Sequence, residues 1–187
     1  MARTDADPGR FSVTCAGYTI ECTPGGLPLI YDGLKKRAAL VEEIELHERG
    51  LCCIAVKRSS DSWPFLVVAQ SYAPHGSGFE PGVLLVHETK VLFIGAGERI
   101  LAYHLEPPQR LWEDRADIGF LNWEQYGDTV LLSAELEFAA WDTTGRKLWT
   151  MFVEPPWDYA VKGDVVELDV MGNKQSFKLR EGPPKQR

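Results

Sequence analysis

The chain has 187 residues, of which 44% are hydrophobic and 25% charged, with a net charge of −7 and a pI of about 5.1. This composition is typical of a soluble globular protein that is large enough to form a core without a metal or a disulfide. The acidic excess argues against a nucleic-acid partner and against binding to an anionic membrane surface, because both attract basic patches.

The N-terminus and the cysteines predict a location. The first ten residues, MARTDADPGR, carry acidic side chains and no apolar stretch, so they do not resemble a secretion signal. The longest apolar runs, such as 83–86 and 91–94, are far too short to cross a bilayer. We therefore expect a cytoplasmic protein whose four cysteines are buried free thiols. Their spacing matches no common zinc motif, and we expect neither a metal nor a cofactor.

The first part of the chain has the less regular pattern. Residues 1–10 are polar and are predicted to be disordered. The ranges 11–22, 51–58 and 65–72 have the short apolar or alternating patterns of strands. Residues 73–82 hold three Gly and two Pro, which predicts an irregular loop.

Residues 34–50 have an ambiguous pattern. Their composition favours a helix, yet Ile44 and Leu46 alternate with polar residues as in a strand. We predict a hairpin in which this strand pairs with 51–58 through a turn at Glu48-Arg49-Gly50. A short helix at 34–41 is the alternative.

From residue 83 onward the pattern becomes regular. Turns rich in Gly, Pro, Asn and Asp separate short strands, and this predicts an all-β fold of antiparallel meander sheets. We expect one domain over 11–182, made of an N-terminal sheet part (11–72) and blade-like repeats (83–182), with a disordered tail at 183–187. The predicted strands of the second part are 83–87, 91–95, 99–105, 110–114, 119–126, 129–136, 137–142, 147–153, 157–161, 165–170 and 176–180.

Matched residues recur in this second part. Trp112 and Trp149 stand 37 residues apart, and Trp123 and Trp157 stand 34 apart. Gly-Asp turns at 127–128 and 163–164 recur after 36 residues. Periods of this length with several strands in each unit are typical of propeller blades, which bury their apolar faces by stacking.

One stretch carries a family resemblance. The sequence AAWDTTGRKLW (139–149) resembles the repeat of the quinoprotein-like (PQQ-type) β-propellers, in which an Ala, an Asp and a Thr-Gly turn lead to a blade-closing Trp. The matching residues are Ala140, Asp142, Thr144, Gly145 and Trp149, with one residue fewer between Asp and Thr. An earlier copy keeps Ala102 and Trp112, and a third copy near 165–180 lacks the Trp. The resemblance covers about 83–182 and implies blade-like sheets, but no cofactor.

Three architectures are compatible with these observations. They are a small or incomplete propeller, a half-propeller completed by a second chain, and a β-sandwich or barrel in which the repeat is coincidental. A chain of this length has room for about four blades, since four strands at this period take nearly forty residues.

Motifs of catalysis are missing from the sequence. There is no nucleophile elbow, metalloprotease motif, phosphate loop or dinucleotide fingerprint, so we assign no catalytic residue. His87 and His104 lie on neighbouring strand segments and, with the 73–82 loop or Asp142, form the best alternative site for an enzyme or a small-ligand or metal-binding protein. Ordinary structural or surface histidines remain the simpler interpretation.

Four aromatic residues form a candidate partner-binding patch. In VEPPWDY (153–159) the side chains of Trp157 and Tyr159 point the same way, and Trp123 and Tyr126 stand one period earlier. Such a patch can bind a partner's apolar or proline-rich segment. The alternative is that these rings form the core between stacked sheets.

These observations favour a non-catalytic interaction module. We expect it to bind a protein partner, or a second copy of itself, through sheet edges or the aromatic patch. An enzyme or small-ligand binder is the alternative hypothesis.

Overall fold

The computed structural model describes residues 10–46, 50–72 and 79–184, and these form four β-sheets in chain order. The first sheet has five strands in the order β1-β2-β4-β5-β3, with one short helix between β2 and β3. Its elements are β1 (Phe11–Cys15), β2 (Tyr18–Pro24), α1 (Tyr31–Lys35), β3 (Leu40–Ile44), β4 (Leu51–Arg58) and β5 (Leu66–Ser71).

The other three sheets are antiparallel meanders, in which each strand pairs with the next along the chain. The second sheet contains β6 (Gly82–Val86), β7 (Val91–Ala96), β8 (Arg99–Leu105) and β9 (Pro108–Arg115). The third contains β10 (Phe120–Tyr126), β11 (Thr129–Ala134), β12 (Glu137–Asp142) and β13 (Lys147–Phe152). The fourth contains β14 (Trp157–Lys162), β15 (Val165–Val170) and β16 (Asn173–Lys178). The prediction of an all-β fold of blade-like sheets is therefore confirmed.

The prediction of a hairpin between β3 and β4 is wrong. β3 pairs in parallel with β5, and β4 lies on the other side of β5. The alternation of Ile44 with glutamates does form a strand, but α1 and the turn after it carry the chain across to β5, where Ala39 and Leu40 both donate to the carbonyl of Phe65. The helix lies earlier than the alternative at 34–41 placed it. The predicted turn residues Glu48 and Arg49 lie outside the described residues.

The four sheets pack face to face in a row. Three apolar clusters lie between successive sheets. Ile54 belongs to the cluster between the first and second sheets, Phe93 to the cluster between the second and third, and Phe138 to the cluster between the third and fourth. A fourth cluster, which includes Tyr31 and Leu34 of α1, covers the outer face of the first sheet. No apolar cluster of the described residues joins the fourth sheet to the first, so the row is open.

The two ends of the row are not built to take a further blade. α1 already covers the outer face of the first sheet. The outer face of the fourth sheet carries charged side chains. Asp158, Glu167 and Lys174 are exposed, and Asp169 is half-buried. Stacking a second copy on either face would displace α1 or bury charges, and burying unpaired charge is costly. This disfavours a ring completed by a second chain.

The repeated tryptophans connect neighbouring sheets. Trp112, on the last strand of the second sheet, donates its indole N–H to the carbonyl of Gly145 in the third sheet. Trp149, on the last strand of the third sheet, donates to the carbonyl of Leu179 beyond β16 at 2.8 Å. Each therefore ties a fourth strand to the sheet that follows, which explains the spacing seen in the sequence.

The turn of the AAWDTTGRKLW stretch presents the carbonyl that Trp112 binds. Asp142 accepts hydrogen bonds from the backbone of Thr144 and Arg146 and from their side chains. Burial alone raises the pKa of Asp142, but these hydrogen bonds outweigh it and leave the pKa below its usual value. Gly145 has a φ of +88°, and an added Cβ would lie 3.3 Å from the indole nitrogen of Trp112. Asp142 and Gly145 thus shape a turn, and Asp142 is fully engaged there.

Candidate functional site

The four residues of the predicted aromatic patch lie on opposite sides of the third sheet. Trp123 is 5% exposed and packs between the second and third sheets against Phe93, Phe120 and Trp141. Tyr126 lies on the opposite face of β10 and belongs to the cluster between the third and fourth sheets. The structure therefore does not bring Trp123 and Tyr126 to one surface.

Trp157 and Tyr159 are half-buried in the same cluster as Tyr126, between the third and fourth sheets. Their rings pack on Phe138 with centroid distances of 5.4 and 4.6 Å. The Trp157 indole donates to the carbonyl of Glu135 at 3.2 Å. All four predicted residues thus contribute to packing between sheets, as the alternative interpretation had it. Partner binding through them stays a prediction.

The histidines of the alternative hypothesis have separate surroundings. The imidazole of His87 lies in the turn after β6, is largely exposed and contacts Glu88 at 3.1 Å. The Nδ1 of His104 lies 3.3 Å from both the amide of Glu106 and the carbonyl of Pro107. Of the 73–82 loop, residues 73–78 lie outside the described residues. Among the described residues, no three His, Cys, Asp or Glu side chains are arranged to hold a metal ion.

Glu106, next to His104, is committed to an ion-pair cluster between the first two sheets. It accepts hydrogen bonds from Lys90 and from the hydroxyl of Tyr18 (2.7 Å), with Arg58 at 3.5 Å. The bond from Lys90, helped by that from Tyr18, lowers the pKa of Glu106 to about 2. A carboxylate that stays ionised near neutral pH cannot serve as a general acid there. The cluster therefore holds the two sheets together.

The tyrosines at these contacts predict a loss of stability at alkaline pH. Burial and the hydrogen bond to Glu106 raise the pKa of Tyr18 to about 12, and burial with the hydrogen bond to Glu42 raises the pKa of Tyr103. A raised pKa favours the neutral phenol in the folded state. Its contribution is complete below the usual tyrosine pKa of about 10 and is lost as the pH rises through the folded-state value.

We therefore expect the Tm to fall steadily above about pH 10, with tyrosinate absorbance appearing together with unfolding. Thermal melts from neutral to alkaline pH measure this. The variant Tyr103→Phe should melt at a lower temperature at neutral pH, because it loses the bond to Glu42. Its Tm should then fall less steeply above pH 10. Equal alkaline slopes for the variant and the parent protein would contradict this account.

Cys52 and Cys53 are thiols with little scope for reactivity. All four are free, and Cys22, Cys52 and Cys53 are buried. A hydrogen bond to Cys22 and burial raise the pKa of Cys52, and burial raises the pKa of Cys53 to about 12. Nucleophilic and metal-binding chemistry requires the thiolate, which both shifts disfavour.

The strongest candidate for a binding site is the open edge of the fourth sheet. The second and third sheets each have four strands, whereas no described strand lies beside β16. The β15–β16 turn consists of Met171 and Gly172, with φ of 53° and 85°, as in a two-residue type I′ hairpin. The residues that flank such a turn form a hydrogen-bonded pair, and the pairing alternates from there. Lys174 and Ser176 therefore direct their backbone N–H and C=O groups away from β15.

The tail after β16 bonds to one end of this edge, and its residues Glu181, Pro183 and Pro184 also line the groove between β13 and β16. The carbonyl of Lys178 accepts hydrogen bonds from the amides of Glu181 (3.2 Å) and Gly182 (2.9 Å), which agrees with the alternation inferred from the turn. The structure gives the outward backbone groups of Lys174 and Ser176 no partner among the described residues. These groups form the open edge.

The tail occupies the position from which a fourth strand would start. In the third sheet, Gly145 accepts the bond from Trp112 and β13 begins two residues later. In the fourth sheet, Leu179 accepts the equivalent bond from Trp149. The residues that follow include Pro183 and Pro184, which lack the amide that a strand ladder needs. The described part of the chain therefore leaves the fourth-strand position of this sheet unfilled.

A groove of about 890 Å³ runs beside the open edge, between β13 and β16. Trp149 and Met151 line it on the side of the third sheet, and Asn173 and Gln175 line it on the side of β16. Phe152 also lines the groove and is 64% exposed. Apolar side chains beside unpaired backbone groups are what an added strand requires.

The sequence carries one signal of the open edge, which the strand pattern alone does not reveal. The third copy of the repeat, near 165–180, lacks the tryptophan that Trp112 and Trp149 provide in the earlier copies. Both of those residues stand on the fourth strand of their sheets. The lack of a tryptophan in the third copy agrees with the lack of a described strand beside β16.

Comparisons with known proteins indicate the fold only. No known sequence family and no curated protein matches the chain. It is similar to the solved structures of BamB from Moraxella catarrhalis (12% identity, TM-score 0.46) and of the β-propeller domain of the Trilobed protease from Pyrococcus furiosus (10%, 0.48). It is also similar to the computationally designed Ika8 protein (12%, 0.46).

These similarities extend over most of this chain but only part of the others. The match to BamB covers 95% of this chain and 60% of BamB. The match to the Trilobed protease domain covers 88% of this chain and 50% of that structure. The match to Ika8 covers 92% of this chain and 58% of Ika8. The chain thus spans little more than half the length of these structures. The stacked meander sheets of this chain confirm the weak resemblance to propeller repeats seen in the sequence.

Proposed function

We propose that the protein is a non-catalytic interaction module that binds an extended segment of a partner protein as the fourth strand of its last sheet. The observation that carries this proposal is the open edge at Lys174 and Ser176, beside a groove in a sheet that is one strand short of its neighbours. Strand addition derives its affinity from main-chain hydrogen bonds and its specificity from pockets for alternate side chains.

The chemistry of the edge suggests the character of the partner segment. Side chains of the added strand that point toward the groove would meet Trp149 and Met151, which favours apolar residues there. Side chains on the other face would lie next to Lys174 and Ser176, and a lysine neighbour favours an acidic residue. The preferred segment therefore alternates apolar with acidic or polar residues.

Edge protection is the simpler interpretation of part of this surface. Lysines on an edge strand commonly discourage pairing between sheets. Lys178, however, pairs with Asp164 at 2.5 Å, and its carbonyl is already used by the tail. Edge protection therefore accounts for the Lys178 end. The groove and the backbone donors and acceptors of Lys174 and Ser176, which have no partner among the described residues, favour binding.

The alternative of an enzyme is supported less well. His87 and His104 have separate surroundings, and Glu106 and Asp142 are both engaged in structural contacts.

No helix among the described residues is both long and apolar enough to cross a bilayer. As part of the proposal we place the module in the cytoplasm, where free thiols persist.

A substitution at the edge tests the proposal. In Ser176→Pro the ring replaces an amide that faces outward, so the ladder to β15 is kept and the donor for an added strand is lost. Proteins should crosslink to a photoreactive residue at position 175 in the parent protein, expressed in its own cells. The same proteins should disappear from Ser176→Pro and persist in Ser176→Thr, which keeps the amide.

A second crosslinking position controls for unspecific capture. Position 121 carries an exposed leucine on β10, away from the open edge, and should not capture the same proteins. If Ser176→Pro, with an unchanged melting curve, retains the crosslinks at position 175, strand addition at this edge is wrong.

A further inference from the structure

A second concave surface lies at the other end of the row, on the outer face of the first sheet. Its volume is about 680 Å³, within the range of small-molecule sites. Cys53 and Ala55 of β4 and Leu34 of α1 contribute buried or half-buried apolar surface to it. The loop before α1 and Trp63 complete the lining. We call this surface the α1 cleft.

Three large apolar side chains of the α1 cleft are exposed. Leu29 is fully exposed, Ile30 is 60% exposed and Trp63 is 40% exposed. A single exposed apolar residue needs no explanation, but a cluster around a concavity is typical of a binding site. The guanidinium of Arg37 lies 3.9 Å from the centroid of the Trp63 ring, which holds the indole at the cleft.

Positive charge borders the same apolar surface, in a protein whose net charge is −7. Arg10 and Lys57 line the cleft, and Arg37 stacks on Trp63. Lys57 pairs with Glu21 at 3.3 Å. In the described ranges neither Arg10 nor Arg37 forms an ion pair. Arg37 donates one N–H to the carbonyl of Gly33 at 3.2 Å, and its other N–H groups, with those of Arg10, are left for an anion. Guanidinium groups suit carboxylates, sulfonates and phosphates, which they bind in a bidentate manner.

The simplest interpretation is a solvated loop beside an ordinary basic surface. That interpretation explains why Arg10 and Arg37 are exposed to solvent. It does not explain why Leu29, Ile30 and Trp63 stay uncovered around one cavity. The charged residues that line this cavity are Arg10, Lys57 and Glu21, so basic groups are in excess.

We propose that the α1 cleft binds a small organic anion: an aromatic or branched apolar body that contacts Trp63 and Leu29, with an anionic group that faces Arg37 and Arg10. The size of the cavity, its apolar lining and two guanidinium groups that have no ion pair within the described ranges support this class of ligand together. The α1 cleft lies on the first sheet and the open edge on the fourth, so this inference does not depend on the proposed function.

The test uses anilinonaphthalene sulfonate, which combines fused aromatic rings with one negative charge. Calorimetric titration of the folded protein should show one saturable site whose affinity falls as salt is added. Trp63→Ala and Leu29→Asp should each weaken binding by about tenfold or more, which corresponds to about 1.4 kcal/mol. Leu29 is fully exposed, so Leu29→Asp reports on the cleft even if Trp63→Ala impairs folding.

Two controls separate this site from unspecific apolar binding. Phe152→Ala removes an exposed ring on the third sheet, away from the α1 cleft, and should leave the affinity unchanged. The uncharged analogue N-phenylnaphthylamine should bind the parent protein more weakly than the sulfonate. The proposal is overturned if the sulfonate shows no saturable binding, if Leu29→Asp binds as the parent does, or if the uncharged analogue binds equally well.

Discussion

Replacing Trp141 by alanine should lower the free energy of unfolding by about 3–5 kcal/mol. The indole is 1% exposed and lies in the core between the second and third sheets. It stacks on Trp112 at 5.4 Å and meets Trp123 edge-on at 5.4 Å. Truncation removes both contacts and leaves a cavity between two sheets that cannot close around it without moving apart. Chemical denaturation followed by fluorescence measures the loss.

The matched control for Trp141→Ala is Phe152→Ala. Phe152 is another aromatic residue of the third sheet but is 64% exposed, so its truncation should change the free energy of unfolding by no more than about 0.5 kcal/mol. Similar losses from the two variants would mean that the sheets do not pack as described.

The second large effect is expected from Gly95→Ala on β7. An added Cβ would lie 2.2 Å from Cδ2 of Phe120, a ring that is almost fully buried where β10 contacts β7. Neither partner can move freely, because the ring is packed between two sheets. Overpacking of this kind costs about 1–3 kcal/mol. The double variant Gly95→Ala with Phe120→Leu should recover part of the loss, since the smaller side chain relieves the overlap.

Gly26→Ala provides the control for glycine replacement itself. Gly26 has nothing within 4 Å of an added Cβ, and its φ is not in the left-handed region. Its replacement should therefore be neutral or slightly stabilising. If Gly95→Ala has no larger effect than Gly26→Ala, Phe120 does not occupy the described position.

Strand positions were predictable because their signals are local. The predicted ranges 51–58, 99–105, 137–142 and 165–170 coincide with β4, β8, β12 and β15. In each, an apolar run or an alternation is bounded by turn residues, and those features act within a few residues. The partner of β3 was not predictable in this way. Its parallel pairing with β5 depends on the path of the chain through α1, which no alternation pattern encodes.

The candidate sites were harder to predict because they combine distant residues. The open edge is defined by the lack of a described strand beside β16, and the groove also needs β13, more than twenty residues earlier. The α1 cleft brings Arg10, Leu29, Lys57 and Trp63 together. Conversely, Trp123 and Trp157 are aromatic residues at matched positions, and this pattern predicts a binding patch. Such residues are equally suited to the cores between sheets, where the structure places them.

Residue-resolved amide hydrogen exchange along β16 tests the central claim most directly. In the isolated protein, the amides of Lys174 and Ser176 should exchange rapidly, while those of Gln175 and Phe177, which face β15, should exchange slowly. A bound partner strand should slow the exchange of Lys174 and Ser176 to the rate of their neighbours. If these two amides are already as protected as Gln175 and Phe177 in the isolated protein, the edge is closed and strand addition cannot be the function.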